Sequence, residues 1–354
     1  MNKSSLLFAI ISTLFAGNLL FAQEKADEKQ RSFVVAPALS SSPGFGNGLG
    51  AVGLYFFKPN KQDEVSPPST ITAVGMYSDT DSYFTGLFGK FHLQEDQWRI
   101  IAGMPVGKVN SSLNVGAPET ANFENKFWGV VLEAQRKITG PWYTGLRLTS
   151  IQQNYNAKNL AGQAYFEAFD VEDTHAGSLS ALLSYDSRDN QRYPESGSYG
   201  DTIFTYAPAE FSDSGEYTKL DVNAASFHTI VHDQILALQL KGSTVSDDAP
   251  YFEKPTLGSR GDLRGYTPGE IVGDHSLIFQ AEYRMRFTKL FGAAIFGGGG
   301  GIWEDSFSSE DLYWNYGAGI RIRMQEENRV NFRIDYAVGE DDQNGWYVSV
   351  SEAF

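Results

Sequence analysis

Three runs near the C-terminus alternate apolar and polar residues one for one, and this alternation limits the fold more than any other feature. Phe279, Ala281, Tyr283, Met285 and Phe287 are interleaved with Gln280, Glu282, Arg284 and Arg286. The pattern returns where Tyr316, Ala318, Ile320, Ile322 and Met324 are set against Gly317, Gly319, Arg321, Arg323 and Gln325. It returns again where Val330, Phe332, Ile334, Tyr336 and Val338 are set against Asn331, Arg333, Asp335, Ala337 and Gly339. Successive side chains of a strand point to opposite faces, so each run makes one greasy face and one polar face. The polar face carries charges of both signs. A soluble β-sandwich would show the same period, but the repetition, with amphipathic residues at the strand ends, favours a wall with lipid outside and a wet or plugged lumen inside.

The N-terminus has the layout of an export signal. Lys3 precedes an apolar run from Leu6 to Phe15, and Leu20-Phe21-Ala22 ends in a small residue before polar Gln23-Glu24-Lys25. Residues 1–22 read as a secretory signal peptide, because Gly17 and Asn18 interrupt a run already short for a spanning helix. Residues 23–31 read as a short periplasmic tail, too few for a folded domain. Residues 32–354 read as one transmembrane β-barrel. The formal charge of −15 argues against a nucleic-acid partner. With no cysteine, disulfides and thiolate chemistry are excluded. No later stretch supplies a membrane helix, yet aromatic residues make up 14% of the chain, with 18 Tyr, 25 Phe and 36 Gly. An exported chain of this kind suits the outer membrane; a large soluble periplasmic β-protein is the competing reading.

Working back along the chain, about sixteen antiparallel strands fit the length a tilted span needs. They fall near 32–38, 48–57, 69–78, 82–93, 97–107, 126–138, 142–154, 175–187, 198–209, 217–230, 233–245, 275–288, 290–303, 311–325, 328–340 and 344–354. The expected fold is therefore all-β, a transmembrane antiparallel β-barrel of the outer membrane. Turns at 139–141, 231–233 and 341–343 are short and are expected at the periplasmic end. The longer segments 58–68, 108–125, 155–174 and 246–274 are expected at the outer end. No helical period is apparent.

Within 246–274 lies Leu263-Arg264-Gly265-Tyr266. Arginine is always charged and offers a planar fork of donors suited to carboxylates, and glycine lets the backbone turn or approach another backbone closely. One reading folds this long loop into the lumen and holds its tip by an arginine–carboxylate contact. The other leaves an exposed loop with a solvated arginine.

Three segments resemble the barrel of the bacterial surface-antigen superfamily, which includes the central subunit of the barrel assembly machine and the two-partner secretion transporters. Asp186-Ser187-Arg188-Asp189, continuing through Pro194 to Gly197, resembles its D-x-R-D…P-x-x-G turn. Leu263-Arg264-Gly265-Tyr266 resembles its loop-tip motif, between the eleventh and twelfth strands where the family's sixth outer loop lies. Glu282-Tyr283-Arg284 and the terminal Phe354 resemble the following strand and the C-terminal aromatic of an assembly signal. The best-known members carry periplasmic POTRA domains ahead of the barrel; this sequence reads as a stand-alone barrel lacking them.

The resemblance implies that Arg264 meets an acid on the inner wall. The strand after Glu-Tyr-Arg has Ile295-Phe296 and then five glycines where relatives often place that acid, which leaves Glu282 and Asp335 as candidates. The competing reading pairs both with wall arginines, namely Arg284, Arg286, Arg321, Arg323 and Arg333. Glycines 297–301 either make room for the folded-in loop or give the wall curvature. Pro37 in the first strand cannot donate to a ladder, so the closure against the last strand, ending in Phe354, is expected to be imperfect, unless Pro37 sits at a strand end. His92, His175, His228, His232 and His275 show no ligand spacing, and neither an enzyme nor a cofactor is expected.

Two function classes follow. One is a barrel that assists insertion or translocation of polypeptide or lipid through a weak first/last-strand seam and a lumen loop. The other is a passive channel or a structural, oligomeric barrel. Expected partners are outer-membrane lipids and, in the first class, periplasmic client polypeptides or accessory subunits.

Overall fold

The computed structural model describes residues 32–42, 45–115, 119–258, 262–341 and 343–354; the expected signal peptide and tail lie outside the described residues. Sixteen strands run in chain order, each antiparallel to its neighbours, and the first pairs with the last to close a barrel. They are β1 (Phe33–Ser42), β2 (Gly46–Phe57), β3 (Ser69–Ser78), β4 (Tyr83–Leu93), β5 (Trp98–Leu113), β6 (Ala121–Thr139), β7 (Trp142–Ala157) and β8 (Thr174–Asp186). The second half comprises β9 (Gly197–Ala207), β10 (Tyr217–Val231), β11 (Gln234–Val245), β12 (His275–Arg286), β13 (Phe291–Trp303), β14 (Leu312–Gln325), β15 (Val330–Val338) and β16 (Asn344–Val350).

The period of two sorts the side chains. Leu132, Leu146, Phe279, Ile295 and Ile320 point outward and are exposed, whereas Glu133, Glu282, Arg284 and Arg321 point inward and are buried. Closure gives every strand a neighbour on both sides, which is the condition for crossing a bilayer with strands.

Chain direction decides which connections share an end. In an up-and-down barrel every second connection lies at the same end, so the β15–β16 turn joins loop 246–274 at the loop end. The β2–β3 segment 58–68 joins the β6–β7 turn at the turn end. This corrects the expected placement of 341–343 and 58–68, which rested on length, and length carries no information about direction. The hydrogen bonds agree. Gln343 Oε1 accepts from Thr267 N at 2.9 Å, while Ser66 Oγ accepts from Asp96 N at 2.7 Å in the β4–β5 turn.

Asp63 organises the 58–68 segment. It accepts from Ser66 Oγ at 2.6 Å, from Ser66 N at 2.8 Å and from Glu95 N at 2.9 Å. These donors, the Ser66 hydroxyl first, favour the carboxylate and hold its pKa at about 2. Because the folded value is depressed, the link is complete above the unfolded value of 3.8 and lost as pH falls through about 2. Pepsin is expected to begin cutting within 58–68 only across that window, and Asp63→Asn to be cut throughout it.

A helix appears where none was expected. α1 (Leu160–Phe169) lies in the β7–β8 connection, capped by Asn159, whose side chain accepts from Gly162 N. Tyr165 stacks on Phe123 at 5.7 Å and packs with Leu113 and Val171. So short a helix is stabilised by tertiary packing rather than by its own pattern. β5, β6 and β7 also run past their expected ends, raising the wall on which α1 rests.

Candidate functional site: an arginine held between lumen walls

Arg264 lies inside the barrel, 1% exposed. Its Nη2 donates to Glu282 Oε2 on β12 at 2.8 Å, and its Nη1 donates to Asp335 Oδ2 on β15. Its guanidinium carbon sits 3.5 Å from the ring centroid of Phe296 on β13, so this wall strand presents an aromatic face to the cation. The structure brings both candidate acids to Arg264, and both also serve wall arginines. Glu282 Oε1 accepts from Arg284 Nε at 2.8 Å and Arg321 Nη2 at 3.2 Å. Asp335 Oδ1 accepts from Arg321 Nη1 at 2.5 Å, and Arg333 approaches at 3.5 Å. Arg321 Nε reaches Glu352 at 2.6 Å. A carboxylate has about four lone-pair sites, so the two readings of these acids coexist. Four guanidiniums, of Arg264, Arg284, Arg321 and Arg333, thus meet three side-chain carboxylates, of Glu282, Asp335 and Glu352.

The rest of the tetrapeptide is fastened around this contact. Leu263 N donates to Gln280 Oε1 at 3.1 Å, and a Cβ on Gly298 would stand 2.9 Å from Leu263 Cδ2. Phe279 O of the adjacent strand would be closer still, at 2.5 Å, so the missing side chain at Gly298 serves both the wall and the loop. Gly265 adopts φ +119°, and a Cβ there would lie 2.7 Å from Gly339 N, so both conformation and space require glycine. Gly265 N donates to Tyr347 Oη on β16 at 2.7 Å. Tyr266 Oη donates to Trp314 O on β14 at 2.8 Å and accepts from Glu340 N at 3.1 Å.

At the seam, β1 and β16 pair only through Leu39, Ser40 and Ser41 with Val348, Tyr347 and Trp346. β1 pairs with β2 over its whole length, Phe33 to Ser42. Pro37 lies inside β1, opposite Ala51, rather than at a strand end. The last strand stops at Val350 instead of reaching 354, and Ser351, at φ 73°, turns the chain. Glu352 is drawn inward to Arg321 and to Asn331 Nδ2 at 2.7 Å. Phe354 therefore lies away from β1. Its carbonyl accepts from Arg284 Nη2 at 2.8 Å and it packs on Ala225, Phe227 and Ala237 of β10 and β11.

The 187–196 turn crosses the turn end. Asp186 accepts from Arg188 Nε at 2.8 Å and from Arg99 Nη1 at 3.0 Å. Asp189 accepts from Glu195 N at 2.9 Å and from Arg329 Nη1 at 2.5 Å. Pro194 is fully buried. A Cβ on Gly197, at φ +96°, would come within 2.3 Å of Ser187 O. Beyond the motif, Gln191 reaches Lys90 of β4 and Arg192 reaches Thr70 of β3. Phe296, Tyr347, Glu352 and these last contacts were not singled out in the sequence; strand parity marks Phe296 as inward-facing, but nothing local marks its partner.

A closed sixteen-strand antiparallel barrel with an apolar outer face and a charged loop tip held inside its lumen is an outer-membrane β-barrel. A family model described as the Omp85 superfamily domain matches residues 53–354, and the chain belongs to that superfamily. Solved structures share the fold. CdiB from Escherichia coli is 12% identical with a TM-score of 0.65, over 91% of this chain and 63% of its own. BamA from Haemophilus ducreyi lacking POTRA domains 1-3 is 12% identical with a TM-score of 0.59, over 91% of this chain and 70% of its own. CdiB from Acinetobacter baumannii is 10% identical with a TM-score of 0.58, over 90% of this chain and 59% of its own. The chain therefore spans less than two thirds of either CdiB. No curated protein matches the sequence.

Proposed function

We propose that this barrel assists insertion or translocation of polypeptide, or of lipid, at the outer membrane, without enzymatic chemistry. The β1–β16 seam serves as its weak side and the Arg264 loop as an internal brace. The observation that carries this reading is the asymmetry of the seam. A hydrogen bond contributes roughly 0.5–1.5 kcal/mol net, so parting three residue pairs costs far less than parting the full-length β1–β2 pairing. The loop tip is tied to β12, β14, β15 and β16 through Glu282, Trp314, Asp335 and Tyr347. The brace thus holds the β16 side still, and β1 is the strand that swings. Clients arriving from the periplasm would meet the turn end, with accessory subunits delivering them.

The test is a disulfide across the seam. Leu39 and Val348 are facing residues, and Leu39→Cys/Val348→Cys should insert an unfolded barrel client into vesicles when reduced and fail when oxidised. Full activity in the oxidised protein would sink the proposal. High steady conductance of the wild type in a planar bilayer would favour a passive channel instead.

A further inference from the structure

Away from the arginine cluster the lumen changes character. One inward rung runs through Val52, Val74 and Gly86 on facing positions of β2, β3 and β4. It continues through Pro105, which faces Gly86, and Gly129, where a Cβ would stand 3.8 Å from Pro105 Cγ, to Ile151. Phe88 and Val131 flank it on the turn side, Phe84 and Phe127 on the loop side, and none of these rungs carries a charge on β2 to β6. These inward apolar side chains are half-buried, whereas Glu282, Arg284 and Asp335 across the lumen are 0% exposed. Accessible surface at an inward position means open space, so the loop fills one side and leaves a chamber against β2–β6. The Phe88 ring lies flat on the wall: a Cβ on Gly103 would be 2.6 Å from it. At the loop end, α1 and Tyr251 pack over Leu113 and Phe123 above β5 and β6.

Two cations stand at the other end of the chamber. Lys90, facing Thr70 and Ile101, donates from Nζ to Gln191 Oε1 at 2.8 Å. Arg192 lies 4.5 Å over the Phe56 ring and donates to the Thr70 hydroxyl. Neither makes an ion pair among the described residues, because the nearby acids are engaged. Asp186 binds Arg99 and Arg188, Asp96 binds Arg99, and Glu133 binds Arg147. In a chain of net charge −15, two half-buried cations without carboxylates ask for an anion from outside.

We propose that the chamber holds a single-chain lipid with an anionic head, the head at Lys90 and Arg192 and the acyl chain along β3–β5 toward Phe84. Six residues of β4 separate Lys90 from Phe84, about 20 Å at the rise of a strand. This concerns binding and stands whether or not the seam opens.

The test uses the full chain in phosphatidylcholine vesicles with a palmitate bearing a diazirine near its methyl end, adducts being mapped by peptide mass spectrometry. Outward Leu87 and Leu132 report the bilayer and serve as a control for folding. Wild type should add adducts at inward Phe84, Phe88 and Val131, and Lys90→Gln/Arg192→Gln should lower these about tenfold while the outward ones persist. Val74→Trp, which fills the chamber without touching the cations, should do the same, and a diazirine palmityl alcohol should label only outward positions. Of unlabelled palmitate and lysophosphatidate, the better competitor identifies the head as carboxylate or phosphate. Adducts confined to outward residues, inward adducts indifferent to the cations, or no competition by either lipid would overturn the proposal.

Discussion

Arg264→Ala is expected to open the lumen while leaving the barrel folded. Removing this arginine leaves three guanidiniums facing three carboxylates, so the buried cluster becomes more nearly balanced. Glu282 keeps Arg284 and Arg321, and Asp335 keeps Arg321 and Arg333. The lost charged hydrogen bonds are worth about 1.5–3 kcal/mol each, and they are lost chiefly from loop docking. Unfolding free energy should therefore stay well within the roughly 5–15 kcal/mol of a stable protein. Single-channel recordings of wild type and variant in one bilayer provide the measurement: a nearly closed wild type beside a flickering or open variant. Arg264→Lys should open in part, because one ammonium cannot reproduce the fork between two acids. Equal conductance of wild type and Arg264→Ala would mean that the loop does not plug the lumen.

Glu282→Gln should act on the fold itself. Glu282 is the acid shared by Arg264, Arg284 and Arg321. Without its charge, four buried guanidiniums would face two carboxylates. Breaking a buried ion pair by removing one partner costs about 3–5 kcal/mol, a large part of the total stability, and urea unfolding followed by tryptophan fluorescence should show it. Arg264→Met placed in the same chain should recover part of the loss, since removing both partners of a buried pair is often close to neutral. Strictly additive costs in that double-mutant cycle would show that the two residues are not coupled.

Strand number, strand positions and the two faces of the wall were legible in the sequence because they depend on a local period. β3 occupies 69–78 as the alternation predicts, and parity alone places Glu282, Asp335, Arg321 and Arg333 in the lumen. The Arg-Gly tetrapeptide and the Asp-x-Arg-Asp turn stand out for the same reason: their unusual residues are adjacent. What the tertiary structure decided involves partners far apart in the chain. Arg264 meets Asp335 across 71 residues and Arg192 meets Thr70 across 122. The inward turn of Phe354, the ring of Phe296 beneath the guanidinium, the α1 helix and the contact of Lys90 with Gln191 all belong to this second kind. Local residue order sets which face a side chain takes, but which distant side chain faces it depends on barrel closure and strand register, and a period of two encodes neither.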